Sequence, residues 1–296
     1  MIIPPRRIVL SGGGMRAVAH LGALQVLESQ GLLSNVREYV GVSAGALVGF
    51  CLCIGYTLKE LQLIMSMFDF QLIRNITPET MLNFPTSYGL DNGENLLKLL
   101  HSVMRIKGIP IDITFEELNK SVGFRCFAAD LFTASAREFS KERTPTVKLT
   151  TALRASMCLP AYFTPIEDPL TNHLLVDGGI LNNYPIAFLT PEERSTSLGI
   201  MFSYDHTNVD EIRDLGHFFY QIYACYYQPR WRQTALLHPA GTIIIPCGHF
   251  PSYDFESTVE ERQALFEEGR IAATHFLERA KHGLIHQKPI RRYSVS

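Results

Sequence analysis

RIVLSGGGMRAVAHLGALQVLESQGLLSNVREYVGVSAGAL, residues 7–47, carries two glycine-rich turns, each lying between a short apolar run and a helical one. Arg7 to Ser11 is a β-branched run that SGGG interrupts. Met15 to Gln30 then repeats small and apolar residues at helical spacing until Gly31 stops it. Val36 to Val42 supplies a second strand, and a helix starts again at Ala44. The order strand, loop, helix, strand, turn, helix predicts two parallel strands joined by a right-handed crossover. Carboxyl ends of parallel strands share one edge of the sheet, so SGGG and GVSAG are expected side by side.

Outward from that unit, Leu58 to Gly108 reads as mostly helical, with interruptions at Thr77-Pro78 and Asn83-Phe84-Pro85, and is expected as an insertion over the sheet edge. Ile113 to Leu118 reads as a short helix, Phe124 to Asp130 and Ala136 to Phe139 as strands, and Thr146 to Met157 as a helix ending at Leu159-Pro160. Leu174 to Val176 is a strand running into Asp177-Gly178-Gly179. Leu198 to Ser203 and Thr242 to Ile245 complete the strands, and Gly216 to Tyr227 and Glu260 to Arg279 the helices.

The 296 residues, 46% of them hydrophobic, can bury a sizeable core and fit one large α/β domain. We expect that domain over residues 1–285, with 58–108 as its cap-like insertion and 286–296 as a tail. Lys+Arg 27 against Asp+Glu 29 leaves a net charge of -2, which gives no electrostatic reason to expect a nucleic-acid partner. The six cysteines show no CxxC pair and no metal-ligand spacing, so reduced core thiols and no metal are expected. MIIPPRRIVL is too short and lacks the cleavage pattern of a signal peptide, and Ala44 to Tyr56 falls short of the roughly 20 apolar residues of a membrane span. The expected location is cytoplasmic or peripheral to a membrane.

GVSAG matches G-x-S-x-G, a pattern that arises by accident roughly 0.1 times in a chain of this length. A strand before it and a helix after it are what a nucleophile elbow requires, with Gly41 and Gly45 small enough to permit the bend around Ser43. A serine in a tight structural turn would leave the same five letters. Gly12, Gly13 and Gly14 lack the Lys-Ser/Thr of a phosphate loop and suit an oxyanion hole, with Arg16 fixing the loop. Asp177 at a strand end could act as base if burial raised its pKa from about 3.9, and Gly178 and Gly179 would allow the turn that holds it. An Asp-Gly turn without chemistry reads the same way. Of the ten histidines, His20 lies inside a helix and most of the others sit in segments with no evident relation to the sheet edge.

SGGGMRAVAHLGAL, GVSAGALVG and DGGILNNYP, in that order, together resemble the patatin-like phospholipase family. ASMCLPAYFTP, residues 155–165, and the FEEL and FRCFAADLFT stretches extend the similarity over about Arg7 to Pro185. The resemblance implies a three-layer α/β/α fold with a mostly parallel central sheet. It also implies a Ser43–Asp177 dyad without histidine, an oxyanion hole of Gly12, Gly13 and Gly14 amides, and hydrolysis of phospholipid or other acyl esters without calcium or another cofactor. Ala17 stands where the family often has glycine after the basic residue, a departure that concerns the loop more than the chemistry. Some members of the family turn over only with a protein activator, so such a partner stays open.

The expected partners are therefore acyl lipids, with peripheral membrane contact through MSMFDFQLI (65–73) or HFFYQIYACYYQPRW (217–231), or through Lys288, Arg291 and Arg292 of the tail. Aromatic stripes at helical spacing are usually buried, so packing in the core or a lid is the competing reading of both segments. Three other functions compete: a soluble acyl esterase or thioesterase, a lipid- or partner-binding module without catalysis, and an α/β-hydrolase whose triad uses His249 or His275.

Overall fold

Two strand-turn-helix units set the frame, as the opening residues predict. The computed structural model describes residues 4–203, 211–212, 215–227, 229–247 and 257–283. Its strands are β1 (Arg7–Leu10), β2 (Glu38–Val42), β3 (Gly89–Asp91), β4 (Gly123–Asp130), β5 (Ser135–Phe139), β6 (Ala161–Phe163), β7 (Ile166–Glu167), β8 (Leu174–Asp177), β9 (Ser197–Phe202) and β10 (Thr242–Ile245). Its α-helices are α1 (Ala17–Ser29), α2 (Ala44–Cys53), α3 (Leu58–Met67), α4 (Pro78–Ser87), α5 (Glu94–Ile106), α6 (Leu149–Ser156), α7 (Pro191–Ser195), α8 (Leu215–Tyr227), α9 (Trp231–Ala235) and α10 (Val259–Lys281).

The central sheet runs β10-β9-β1-β2-β4-β8-β7, with β5 also paired to β4. Its first five strands are parallel, so β1, β2 and β9 end at one rim. One face packs on α1, α2, α6 and α10 around Leu10, Leu24, Phe50 and Leu153. The other, carrying Val9, Val40, Phe127 and Met201, is covered by the stretch from Tyr184 to Leu189 and by α9. This is the α/β layering the sequence leads one to expect, with one outer layer thinner than a row of long helices.

Strand direction corrects the reading at the end that bears on chemistry. β8 is antiparallel to β4, pairing Asp177 with Ala128 and Leu175 with Asp130. On the same edge of β4, β2 pairs Val42 with Phe127, while β5 takes the opposite edge throughout. Thus β4 overhangs the rim, and β8 fills the overhang in line with β2, so that the carboxyl ends of the two strands meet head to head.

Two other expectations change. Residues 113–118 form turns rather than a helix, because Phe115 N–H and Glu116 N–H donate to Val147 O and Pro145 O instead of up the chain. α4 continues through Pro85 to Ser87, since in its last turn the missing N–H removes a single bond, and it stops at Tyr88 in the left-handed region (φ 58). A second, two-stranded parallel sheet, β3 with β6, had no signal in the sequence. Arg154 of α6 ties to it by donating to Asn92 O (3.3 Å) and lying over the Phe163 ring (5.2 Å). Five of the six cysteines are buried as free thiols, and Cys225 is exposed.

Candidate active site

Ser43 occupies the bend between β2 and α2 at φ 54, ψ -130, a sparsely populated conformation that costs a non-glycine residue about 1–3 kcal/mol. Several contacts hold it there. Its N–H donates to Ser156 Oγ (3.0 Å), and its carbonyl accepts from Ala46 N–H (2.9 Å) as α2 begins. The side chain is half-buried, open enough for a substrate to reach. Gly41 lies against the backbone of Ala46, and Gly45 lies so close to the end of β1 that a Cβ would run into the carbonyl oxygens of Leu10 and Ser11. Gly45→Ala must therefore push α2 off the sheet. We expect it to lose about 3 kcal/mol of stability, or roughly 10 °C in Tm by thermal melting, and most of any activity with it.

Asp177 reaches Ser43 because β8 ends where β2 ends. Gly178 packs against Phe127 O and Val42, so the turn after the carboxylate is pressed onto the strand ends beside Ser43. Asp177 Oδ1 accepts from Gly179 N–H (2.8 Å), and Asp177 N–H donates to Cys158 O (2.7 Å). The residue is 4% exposed. Burial pushes its pKa up to about 7, against the opposing effects of the Ser43 side chain and the Gly179 amide. The Ser43 side chain lies close enough to lower the carboxyl's pKa, and among the described residues Asp177 Oδ2 is buried with no hydrogen-bond partner. Tyr223 of α8 stands over the same region, donating to Pro160 O (2.9 Å), and its phenol is pushed up by burial and then by the nearby Asp177 charge.

The glycine loop adjoins both groups. A Cβ on Gly12 would collide with Asn183 Oδ1 and come within 3.0 Å of Ser43 Cβ. Gly12 is not among the free donors, however: its N–H already donates to Asn183 O (2.9 Å), and its carbonyl accepts from Asn183 Nδ2 (2.8 Å). Among the described residues no hydrogen bond takes up the N–H of Gly13 or Gly14. Gly14 sits at φ 53, and Gly13 O accepts from Arg16 N–H (3.0 Å), closing the turn that leads into α1. Arg16 is 1% exposed, and its charge opposes the rise that burial gives the Cys247 thiol.

His20 is a structural group. One ring nitrogen donates to Ser11 O (2.8 Å), the ring stacks on Phe202, and burial lowers its pKa to about 4, so it stays neutral. Among the described residues no hydrogen bond joins a histidine to Ser43 or Asp177. His275 is exposed on α10, and His249 lies outside the described residues. Sequence reasoning missed Ser156 and Asn183. Both lie in quoted stretches, ASMCLP and DGGILNNYP, yet nothing local shows that they bond to Ser43 and Gly12, which are 113 and 171 positions away.

The segments proposed for membrane contact divide. In 65–73, Phe70 and Ile73 are buried with Met15, Leu96, Cys158 and Phe163, whereas Met67 and Leu72 are exposed. In 217–231, His217 and Ala224 are buried, and Phe218 and Ile222 are exposed one turn apart. The tail residues Lys288, Arg291 and Arg292 lie outside the described residues. No described helix is long and apolar enough to cross a membrane.

Fold and site together define a class: an α/β protein in which a strained serine turn, a buried carboxylate and a glycine loop share the carboxyl rim of the sheet. The profile of the family described as patatin-like phospholipase matches residues 8–190, and the chain belongs to that family of lipid hydrolases. It is 33% identical over 183 residues to a probable lipid hydrolase, 463L, of Invertebrate iridescent virus 6, covering 61% of this chain and 62% of that one. It is 27% identical over 291 residues to YqhO of Bacillus subtilis, covering 91% of this chain and 97% of that protein. Among solved structures, VipD from Legionella pneumophila has the same fold at a TM-score of 0.60 and 17% identity, over 93% of this chain and 67% of that one.

Proposed function

We propose that the protein is a calcium-independent acyl hydrolase of phospholipase A type, working through an acyl-serine intermediate with Ser43 as nucleophile and Asp177 as base. The observation that carries this reading is the buried Asp177 carboxyl, raised to about 7 and pressed against the Ser43 bend. A base near neutrality takes a proton most effectively at neutral pH.

The reaction then follows from placement. As Ser43 Oγ attacks the ester carbonyl, its proton passes to Asp177 and the carbonyl π electrons move to oxygen. The oxyanion meets the N–H groups of Gly13 and Gly14, which no described residue takes up, and the amino-terminal end of α2 favours the same negative charge. Collapse expels the lysophospholipid or alcohol oxygen, which takes the proton from Asp177. Water repeats the sequence on the acyl-serine, releasing the fatty acid and restoring Ser43.

Chemistry and apolar surface adjoin: Met15 follows the glycine loop and Cys158 holds Asp177 N–H, and both belong to the cluster with Phe70, Ile73 and Phe163. This supports an acyl-chain substrate and a covering role for residues 58–108 within a single domain spanning 1–285. Fatty-acid release from phosphatidylcholine vesicles, measured with EDTA present, tests the reading. Expected products are free fatty acid and lysophospholipid, at a rate EDTA leaves unchanged. Turnover confined to acyl-CoA or short nitrophenyl esters would replace the reading with the soluble esterase.

A further inference from the structure

We propose that the paired tips of the β4–β5 and β7–β8 hairpins, bearing Leu131, Phe132 and Leu170, dock the protein on a lipid bilayer. This rests on the lipid-hydrolase reading for its choice of occupant, but the surface itself follows from topology. β4 pairs with β2 only as far as Phe127 and continues to Asp130. At about 3.3 Å per residue, the turn after β4 stands about 10 Å beyond the rim that carries Ser43. β8 lies along that overhang, so the β7–β8 turn ends at the same height, and Phe132 of one tip stacks on His173 of the other (4.8 Å).

What the tips present is mostly apolar. Leu131, Phe132 and Leu170 are 50%, 67% and 52% exposed. The turn residues 131–135 (LFTAS) and 169–172 (PLTN) contain no ionisable side chain. The acids beneath are occupied internally. Asp130 bonds His173 Nδ1 (2.8 Å) and Phe132 N–H, and Asp168 forms an ion pair with Arg137 (Nε–Oδ2 2.7 Å) and accepts from Leu170 N–H. Glu167, the last residue of β7 and paired with Leu174 beside the turn, is the one exposed acid of these hairpins. Large exposed side chains on two buttressed turns, with a single exposed acid, Glu167, beside them, suit shallow insertion into a bilayer. Docking there would set the Ser43 rim facing the lipid surface.

The test uses protein carrying Ser43→Ala, so that binding is read without turnover, and vesicles of phosphatidylcholine with and without phosphatidylserine. Combined L131S, F132S and L170S should weaken co-sedimentation by about tenfold or more, with an unchanged thermal melt. M67S with L72S, on the insertion, should not. F132W in a Trp231→Phe background should shift its emission to the blue on vesicles and be quenched by brominated lipid. Vesicle binding that survives the triple change, binding lost instead with M67S and L72S, or F132W emission indifferent to lipid would each overturn the proposal. Hairpin-dependent binding by a protein that hydrolyses no lipid would retract the enzymatic reading and keep the surface.

Discussion

Ser43→Ala is expected to lower ester hydrolysis by about 10⁵-fold or more while leaving the melting temperature nearly unchanged. The two halves of that expectation have separate causes. Loss of Oγ removes the atom that forms the acyl bond, and no neighbouring hydroxyl takes its place: Ser156 Oγ is turned to the Ser43 backbone N–H. Alanine, by contrast, keeps the Cβ and the unfavourable φ of 54, so it neither relieves nor adds strain at the bend. Initial rates on a phospholipid and a differential melt of the same preparation check both. Retained turnover would show that the bend is structural and that another residue attacks the ester.

Asp177→Asn should cut kcat by about 10⁴-fold, and it should also change how stability depends on pH. In the wild type the carboxyl titrates near 7 in the folded chain and near its ordinary value of 3.8 when unfolded. Between those values the folded state holds the proton and the unfolded state releases it. Stability is therefore full below about pH 4 and falls as pH rises through 7, by up to about 4 kcal/mol. Asparagine has no proton to lose, and its side-chain oxygen can still accept from Gly179 N–H. The variant should thus outlast the wild type in urea at pH 8 and match it at pH 4. Activity in the wild type moves the other way, rising with pH through about 7 as the base ionises. Equal urea midpoints at pH 8 would mean that the carboxyl is not held in a desolvated site.

The chemistry of this site is written locally, and its assembly is not. SGGG, GVSAG and DGG could each be read because a bend, a close approach or a strand end demands particular small residues beside the reactive one. The parallel frame of β1 and β2 was legible for the same reason: sixteen residues at helical spacing between two strands leave few alternatives. That Asp177 arrives on an antiparallel strand was not legible, since Leu174 to Val176 has the same pattern whichever way it pairs. Gly12 looked like a donor because glycine permits close approach. Asn183, across the site, uses that approach to occupy its N–H. The apolar tips at Leu131, Phe132 and Leu170 went unread because three residues scattered over forty positions have no period, and only the overhang of β4 brings them together.

Labelling with a fluorophosphonate, followed by peptide mass analysis across a pH series, tests the pairing of hydroxyl and buried acid most directly. The account predicts one adduct, on Ser43, forming at a rate that climbs through about pH 7 and that becomes slow and flat in Asp177→Asn. An adduct on a different residue, or equally fast labelling of Ser43 in the asparagine variant, would contradict it.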